Sequence, residues 1–410
     1  MLRSLFSGIS GLRAHQQMLD VTSNNIANVN SVGFKASQTV FEDTLSQMVR
    51  AAGAPQNNVN GSQGGTNPAQ VGLGVRMSQI TTNFLQGSAQ TTGRPTDLMI
   101  SGDGFFVVKS VNEQLFTRAG AFNFDAEGKL VTATGAAVQG WPAVNGTVNT
   151  NGQLGDIQLP VGTLIAPKAT KNVTISGNLP ADVPLNTQIP RTIKTYDSQG
   201  NPVTLTALFE QIGVSPSSFQ LTLSDNATPP NTGSPVALQF ADSTTATAQN
   251  PVGTLLTPLT TTLGGVTVDL AGLTNYTGNT TVNILSQDGA PAATLQSFSI
   301  NPDGELIGIF SNGVKQTVAQ VAVANFNNPP GLEKTGDALY RFTVNSGVPQ
   351  VGIAGTNGLG VIGSGVVEMS NVDLAQEFTN LIVAQRGFQA NSKVISTSDE
   401  LLQDLVNMKR

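Results

Sequence analysis

The chain has 410 residues, a formal net charge of −6, 44 glycines, one histidine and no cysteine. That inventory removes thiol nucleophiles, thiolate metal sites, paired-histidine zinc sites and disulfide frameworks, and an isoelectric point of about 4.8 argues against nucleic acid, which binds through Lys and Arg that displace counterions. Charged residues are 11% of the chain against about 25% in an average domain, so the surface is expected to be neutral and polar, in a thiol-free chain suited to life outside the cell.

The amino terminus reads Met1, Leu2, Arg3, Ser4, Leu5, Phe6 and then breaks at Gly8, Ser10 and Gly11. It lacks the continuous apolar core and cleavage site of a secretory signal, and no apolar run approaches the length of about 18 residues that spans a membrane. From Leu2 to about Ala27, Leu5, Leu12, Leu19 and Ile26 recur every seven positions, with Ile9 and Val21 beside them. This is one face of an amphipathic helix about 40 Å long. At the other end Leu374, Leu381, Phe388, Ile395 and Leu402 form a second heptad series, which the spacing extends to about Met408. Ser370 and Asp373 resemble a capping box for it. Its companion row, Phe378, Gln385, Ser392, Asp399 and Val406, is largely polar, which suits packing among many copies better than a simple two-chain zipper.

Between the helices the pattern is β. Residues 51–70, rich in Gly, Pro, Asn and Gln, read as a flexible linker within a joint segment over 31–70. Strand signals follow at Val75 to Phe84, Asp97 to Lys109 and Leu115 to Phe124, with a turn at Asp125 to Gly128. They resume at Phe298 to Ile309 and Val318 to Phe326. The stretch from about Gly146 to Gly289 has short alternating strands and reads as a separate all-β insertion. The expected fold is therefore mainly β with long α-helical termini, nested β domains lying between N- and C-terminal coiled-coil-like helices. The expected segments are 1–30 and 368–410 (helical), 31–70 (joint), 71–145 and 290–367 (inner β) and 146–289 (outer β).

Chemical motifs are weak. Gly358, Gly360 and Gly363 match a dinucleotide-binding spacing, but no helix follows, so a Gly-rich hinge is expected. Asn123, Asp125, Glu127 and Gly128 begin like a calcium loop, yet Thr134 stands where a bidentate Glu is required. His15 has no nucleophile nearby in sequence and is expected to be a polar surface residue. No local feature points to a carboxylate pair for glycoside hydrolysis. The reading is of a non-enzyme without metal or cofactor.

Four ordered segments carry a family resemblance. Residues 19–35, which contain Asn24, Asn25, Ile26, Ala27, Asn28, Gly33, Phe34 and Lys35, resemble the amino-terminal signature of bacterial flagellar rod and hook proteins. Thr96 to Phe106, Ser370 to Leu374 and Ile382 to Asn391 continue it. The insertion is larger than expected of a rod protein, and Thr195 to Asn201 resembles a stretch of hook proteins, so the hook branch is favoured over the distal rod. The resemblance implies a homopolymer that forms a curved tube with a central channel and acts as a universal joint between rod and filament. Its implied partners are flagellar rod, hook-cap and hook–filament junction proteins and the type III export apparatus, with no nucleic acid and no membrane insertion, and its implied location is the extracellular hook of the flagellum. Leu5, Leu12, Leu19, Ile26, Leu374, Phe378, Leu381, Phe388, Ile395 and Leu402 are the expected assembly residues. A β-rich adhesin with oligomerising helices is the reading from another class; it requires an exposed aromatic face, and the chain has one Trp and three Tyr.

Overall fold

A computed structural model describes residues 2–58, 61–111, 113–144, 146–160, 162, 164–214, 217–225, 230–257 and 260–408. The chain is mostly β, with one long helix at each end: α1 (Leu2–Ala27) and α2 (Leu374–Asn407). It divides into two compact units, the first comprising residues through Leu159, Ser299–Ile307 and the chain from Thr317 onward, the second Pro160–Phe298 and Gly308–Gln316. The sequence reading opened the insertion at 146. The structure keeps that stretch with the first unit because Thr147–Val148 and Gly155–Asp156 pair with the strand Ala137–Val144.

In the first unit a sheet runs in the order Lys315–Asn325, Ala137–Val144, Phe105–Ser110, Glu113–Thr117, Leu339–Arg341, Glu333–Gly336. The strand Phe105–Ser110 pairs Phe106 with Val323 and Val107 with Phe116. Its first four residues are buried on both faces, which explains a run of consecutive apolar residues where a half-exposed strand alternates. On one face Phe105, Phe116, Trp141, Phe326 and Tyr340 form the core, with edge-on rings such as Phe116–Phe326 at 4.8 Å between centroids. On the other, Phe106 meets Phe122 at 5.1 Å. The imitation calcium loop is a hairpin turn, in which Asp125 Oδ1 accepts from the Glu127 and Lys129 amides.

Residues 31–70 differ from expectation. Ser37–Asp43 pairs antiparallel with Val75–Thr82, Ser46–Arg50 with Ala69–Gly72, and Gln56–Asn58 with Gly61–Gln63. A Gly53–Thr66 bridge joins the outer pairs. The expected flexible linker is thus the far part of a two-stranded ribbon, apart from residues 59 and 60, which lie outside the described residues. Once the first pair is closed, each further pair adds little loop entropy, and backbone pairing is indifferent to the polar side chains that suggested a linker. The Gly358–Gly363 hinge also proves ordered. Val361–Ser364 pairs with Leu98–Ser101, and a Cβ at Gly360 would lie 2.5 Å from the Ser101 carbonyl oxygen, so this glycine permits close backbone approach.

The second unit is a β-sandwich by itself. One sheet has the order Thr260–Leu263, Val266–Thr274, Asn172–Asn178, Asn283–Gln287, and the other is a five-stranded meander from Gln188–Tyr196 to Leu255–Thr257. Val173, Ile175, Val268 and Leu270 from the first sheet and Ile193, Phe209, Phe219 and Leu238 from the second share one core. The segment Thr195 to Asn201 is the hairpin between the first two meander strands. Asp197 holds that turn by accepting from the Gln199 and Asn201 amides and from the Asn201 side chain.

Candidate functional site

Among the described residues no cluster of three His, Cys, Asp or Glu could hold a metal, and no helix is long and apolar enough to cross a membrane. The functional candidate is the terminal helix pair and the junction that anchors it to the first β unit.

Helices α1 and α2 pack antiparallel along a seam of small and polar residues. The Ser4 and Ser398 hydroxyls lie 3.4 Å apart, Gly8 lies against Ile395, Gly11 against Asn391 and Gly387 against His15. A Cβ at Gly387 would stand 2.5 Å from the His15 imidazole. Ala14, Thr22, Ala384 and Ser398 complete the buried seam. Glycine and alanine let helix axes approach closely. The inner row of α2 is therefore Glu377, Ala384, Asn391 and Ser398, a row that the heptad series of large residues from Leu374 to Leu402 did not mark.

The expected assembly residues flank this seam. Leu5, Leu12, Leu19, Ile26, Leu381, Phe388, Ile395 and Leu402 are half-buried, whereas Leu374 is exposed and Phe378 is 51% exposed. Outside the stripes Phe6 is 69% and Ile382 55% exposed. His15 is not a polar surface residue, because its ring packs between Gly387 and the edge of Phe41, 5.9 Å between centroids. Helix α2 is capped by Asp373, whose carboxylate accepts from the Ala375 and Gln376 amides. Ser370 accepts from the Val372 amide instead, so the N-cap is Asp373, three residues later than the Ser370 start suggested by the sequence.

Below the seam the signature residues converge. Asn25 is buried; its side chain donates to the Ser37 carbonyl and to Glu377 and accepts from the Ser37 amide, which ties the end of α1 to the ribbon and to α2. Gly33 has φ +68°, a Cβ there would lie 2.4 Å from the Ala119 nitrogen, and its amide donates to the Glu368 carbonyl. The Phe34 ring lies beneath the Lys334 ammonium at 5.0 Å. Lys35 and Glu368 form an ion pair at 2.6 Å with both side chains 0% exposed. Lys35 also donates to the Leu85 carbonyl, and Glu368 also accepts from the Gly87 amide. Arg118, 3.6 Å from Glu368, donates to the Gly102 carbonyl. Burial pushes the Lys35 ammonium below its ordinary value, although Glu368 opposes the shift. Asn371 accepts from the Ala36 amide and donates to the Asn83 and Leu85 carbonyls.

The junction thus draws Asn25, Gly33 and Lys35 together, while Asn24 and Ala27 stay exposed and Asn28 caps back onto Asn24. Sequence reasoning missed Glu368, Arg118 and the glycine seam. Heptad rows of small residues, Ala384–Asn391–Ser398 above all, were the available signal for the seam. Nothing local marks Glu368 as the partner of Lys35, because 333 residues separate them.

Four family profiles match in order. They are described as flagella basal body rod protein (residues 5–35), flagellar hook protein FlgE/F/G D1 domain (99–178), flagellar basal body protein FlaE D2 domain (178–290) and flagellar basal body rod FlgEFG protein C-terminal (364–408). A flagellar hook protein FlgE from Borreliella burgdorferi is 38% identical over 449 residues, covering 100% of both chains. The chain belongs to the flagellar hook protein family. The Escherichia coli hook protein FlgE is 32% identical over 98% of each chain, and the Bacillus subtilis basal-body rod protein FlgG is 32% identical over 100% of each. That full-length rod relative means that the size of the insertion does not by itself separate hook from rod within the hook family. The solved Helicobacter pylori hook protein FlgE2 shares the fold, with a TM-score of 0.51 at 16% identity over 67% of this chain and 98% of that one.

Proposed function

We propose that this chain is a structural subunit of the bacterial flagellar hook, polymerising through its terminal helices into a curved tube around a central channel. The tube transmits torque from rod to filament as a universal joint, outside the cell. Family membership supports the reading, and one observation carries its mechanism. The helix pair uses small and polar residues for its internal seam and leaves large apolar side chains exposed at both ends, Phe378 and Ile382 one turn apart at one end and Phe6 at the other, which neighbouring copies can cover. Burying each of these side chains against neighbouring copies contributes about 1.5–3 kcal/mol. The partners of the finished tube are the rod, hook-cap and hook–filament junction proteins, and the subunit reaches it through the type III export apparatus. The outer β surface, poor in charge, lets copies slide past one another without breaking ion pairs, whose desolvation is costly.

Negative-stain electron microscopy of purified protein under polymerising conditions tests this reading, alongside a truncated chain lacking residues 1–30 and 371–410. Tubes from the full chain and monomers from the truncated one are expected. Discrete small oligomers from the full chain would overturn the proposal. A distal rod subunit is the second reading, kept because a basal-body rod protein from Bacillus subtilis is also similar over its full length, and straight rather than curved tubes would select it.

A further inference from the structure

The outward faces of the two helices carry complementary charges at matched spacing. On α1, Arg13 and Asp20 are seven residues apart in sequence, both exposed, on the face opposite the Gly8–Gly11–His15 seam. On α2, Lys393 and Glu400 are likewise seven apart and exposed, opposite the Ala384–Asn391–Ser398 row. Among the described residues none of these four makes an ion pair. Within the chain they cannot meet, since each pair points away from the other helix. Read antiparallel, the α1 row (plus, then minus) complements the α2 row of a second copy, with Arg13 against Glu400 and Asp20 against Lys393.

A groove of about 470 Å³ lies beside the same α1 row, lined by Phe6, Ile9, Arg13 and Gln17 and by Val75, Arg76 and Met77 of the ribbon. Its mixed lining, apolar at Phe6, Ile9 and Met77 and cationic at Arg13 and at Arg76, which also pairs with Glu42, suits the last turns of α2, where Leu401 is 54% exposed and Glu400 and Asp404 follow each other one turn apart. Within one chain, Gly11 faces Asn391. Setting Arg13 opposite Glu400 instead moves the neighbour along the helix axis by about 16 Å at 1.5 Å per residue.

We infer that the outward row of α1 and its ribbon groove receive the carboxy-terminal turns of α2 from a second copy, in antiparallel register and with an axial offset. This rests on the polymer reading and names the surface by which neighbouring helix pairs recognise each other. The two patches are different surfaces of one chain, so the contact is heterologous and repeats without closing when the offset is retained. The charges set register, as flanking charges do in coiled coils, and the groove supplies the buried area.

The full-length chain tests this by charge reversal and by cross-linking. Arg13→Glu and Glu400→Arg are each expected to raise the critical concentration for polymerisation about tenfold, and the two together to restore it. Because the chain has no cysteine, Gln16→Cys and Thr397→Cys in one chain place a single pair at the same register. Oxidation of the polymer is expected to give a ladder of covalent oligomers, and oxidation of dilute monomer none. Wild-type critical concentrations for both single variants, or a polymer that yields only monomer on oxidation, would overturn the inference while leaving the hook reading intact. A wild-type chain that stays monomeric would overturn both.

Discussion

The sandwich of the second unit and the helix pair of the first handle their apolar residues in opposite ways. The sandwich hides Phe209, Phe219, Leu221 and Leu238 completely within one chain. The helices put Gly8, Gly11, Ala14 and Ala384 at their mutual contact and leave Phe6, Phe378 and Leu401 outside. Stability is local in the sandwich, whereas the helices half-bury their heptad residues and keep several large side chains exposed, which on the proposed reading are covered when copies meet. A subunit that must fold and then join others needs both arrangements.

The contrast can be broken at either end. The largest effect is expected from Phe209→Ala, which empties the sandwich core and should cost about 3–5 kcal/mol, read as a lower denaturant midpoint by circular dichroism, whereas Leu381→Asp with Leu402→Asp should abolish tubes and leave that midpoint unchanged. Glu368→Gln strands the Lys35 ammonium in a buried junction and should cost about 3–5 kcal/mol. The fluorescence of Trp141, the sole tryptophan and part of the first unit's core, follows that unfolding. Gly11→Leu drives a side chain into Asn391 and should loosen the helix pair by about 1–3 kcal/mol, seen as faster amide exchange along α1.

The smallest expected effect is on acid stability. In the second unit the Asp197 carboxyl is held below its ordinary value by the Asn201 side chain and that of Asp242 by the Thr244 and Thr245 hydroxyls. A carboxyl lowered on folding contributes stability that is present above the unfolded value of about 3.9 and lost as pH falls below it. Thermal midpoints should therefore decline as pH falls below about 4 and keep declining until the folded-state carboxyls are protonated, and Asp242→Asn should flatten the decline.

Periodicity made both helices legible, with α1 ending at Ala27 as the heptads indicated and α2 holding its whole heptad series from Leu374, although its cap falls at Asp373 and not at Ser370, and the consecutive apolar run Phe105 to Val108 lies in a strand buried on both faces. Which row of α2 faces α1 was not legible. Leucine spacing draws the eye to large residues, while close approach selects small ones, so the Leu374 heptad row was singled out and the Ala384 row overlooked. The 31–70 segment misled in the reverse sense, since its side chains announce turns while its backbone pairs.

The order of residues alone therefore determined two amphipathic helices, an intervening β-rich chain, a composition poor in charge and free of thiols, and the signature that places the chain in its family. Local patterns suffice for these because helix faces, strands and turns are set by neighbours a few positions apart. Only the tertiary structure joined Lys35 to Glu368, seated His15 on Gly387, zipped the supposed linker into a ribbon and turned the matched charges Arg13, Asp20, Lys393 and Glu400 outward. Each depends on segments separated by tens to hundreds of residues, whose meeting is decided by the packing of the whole unit.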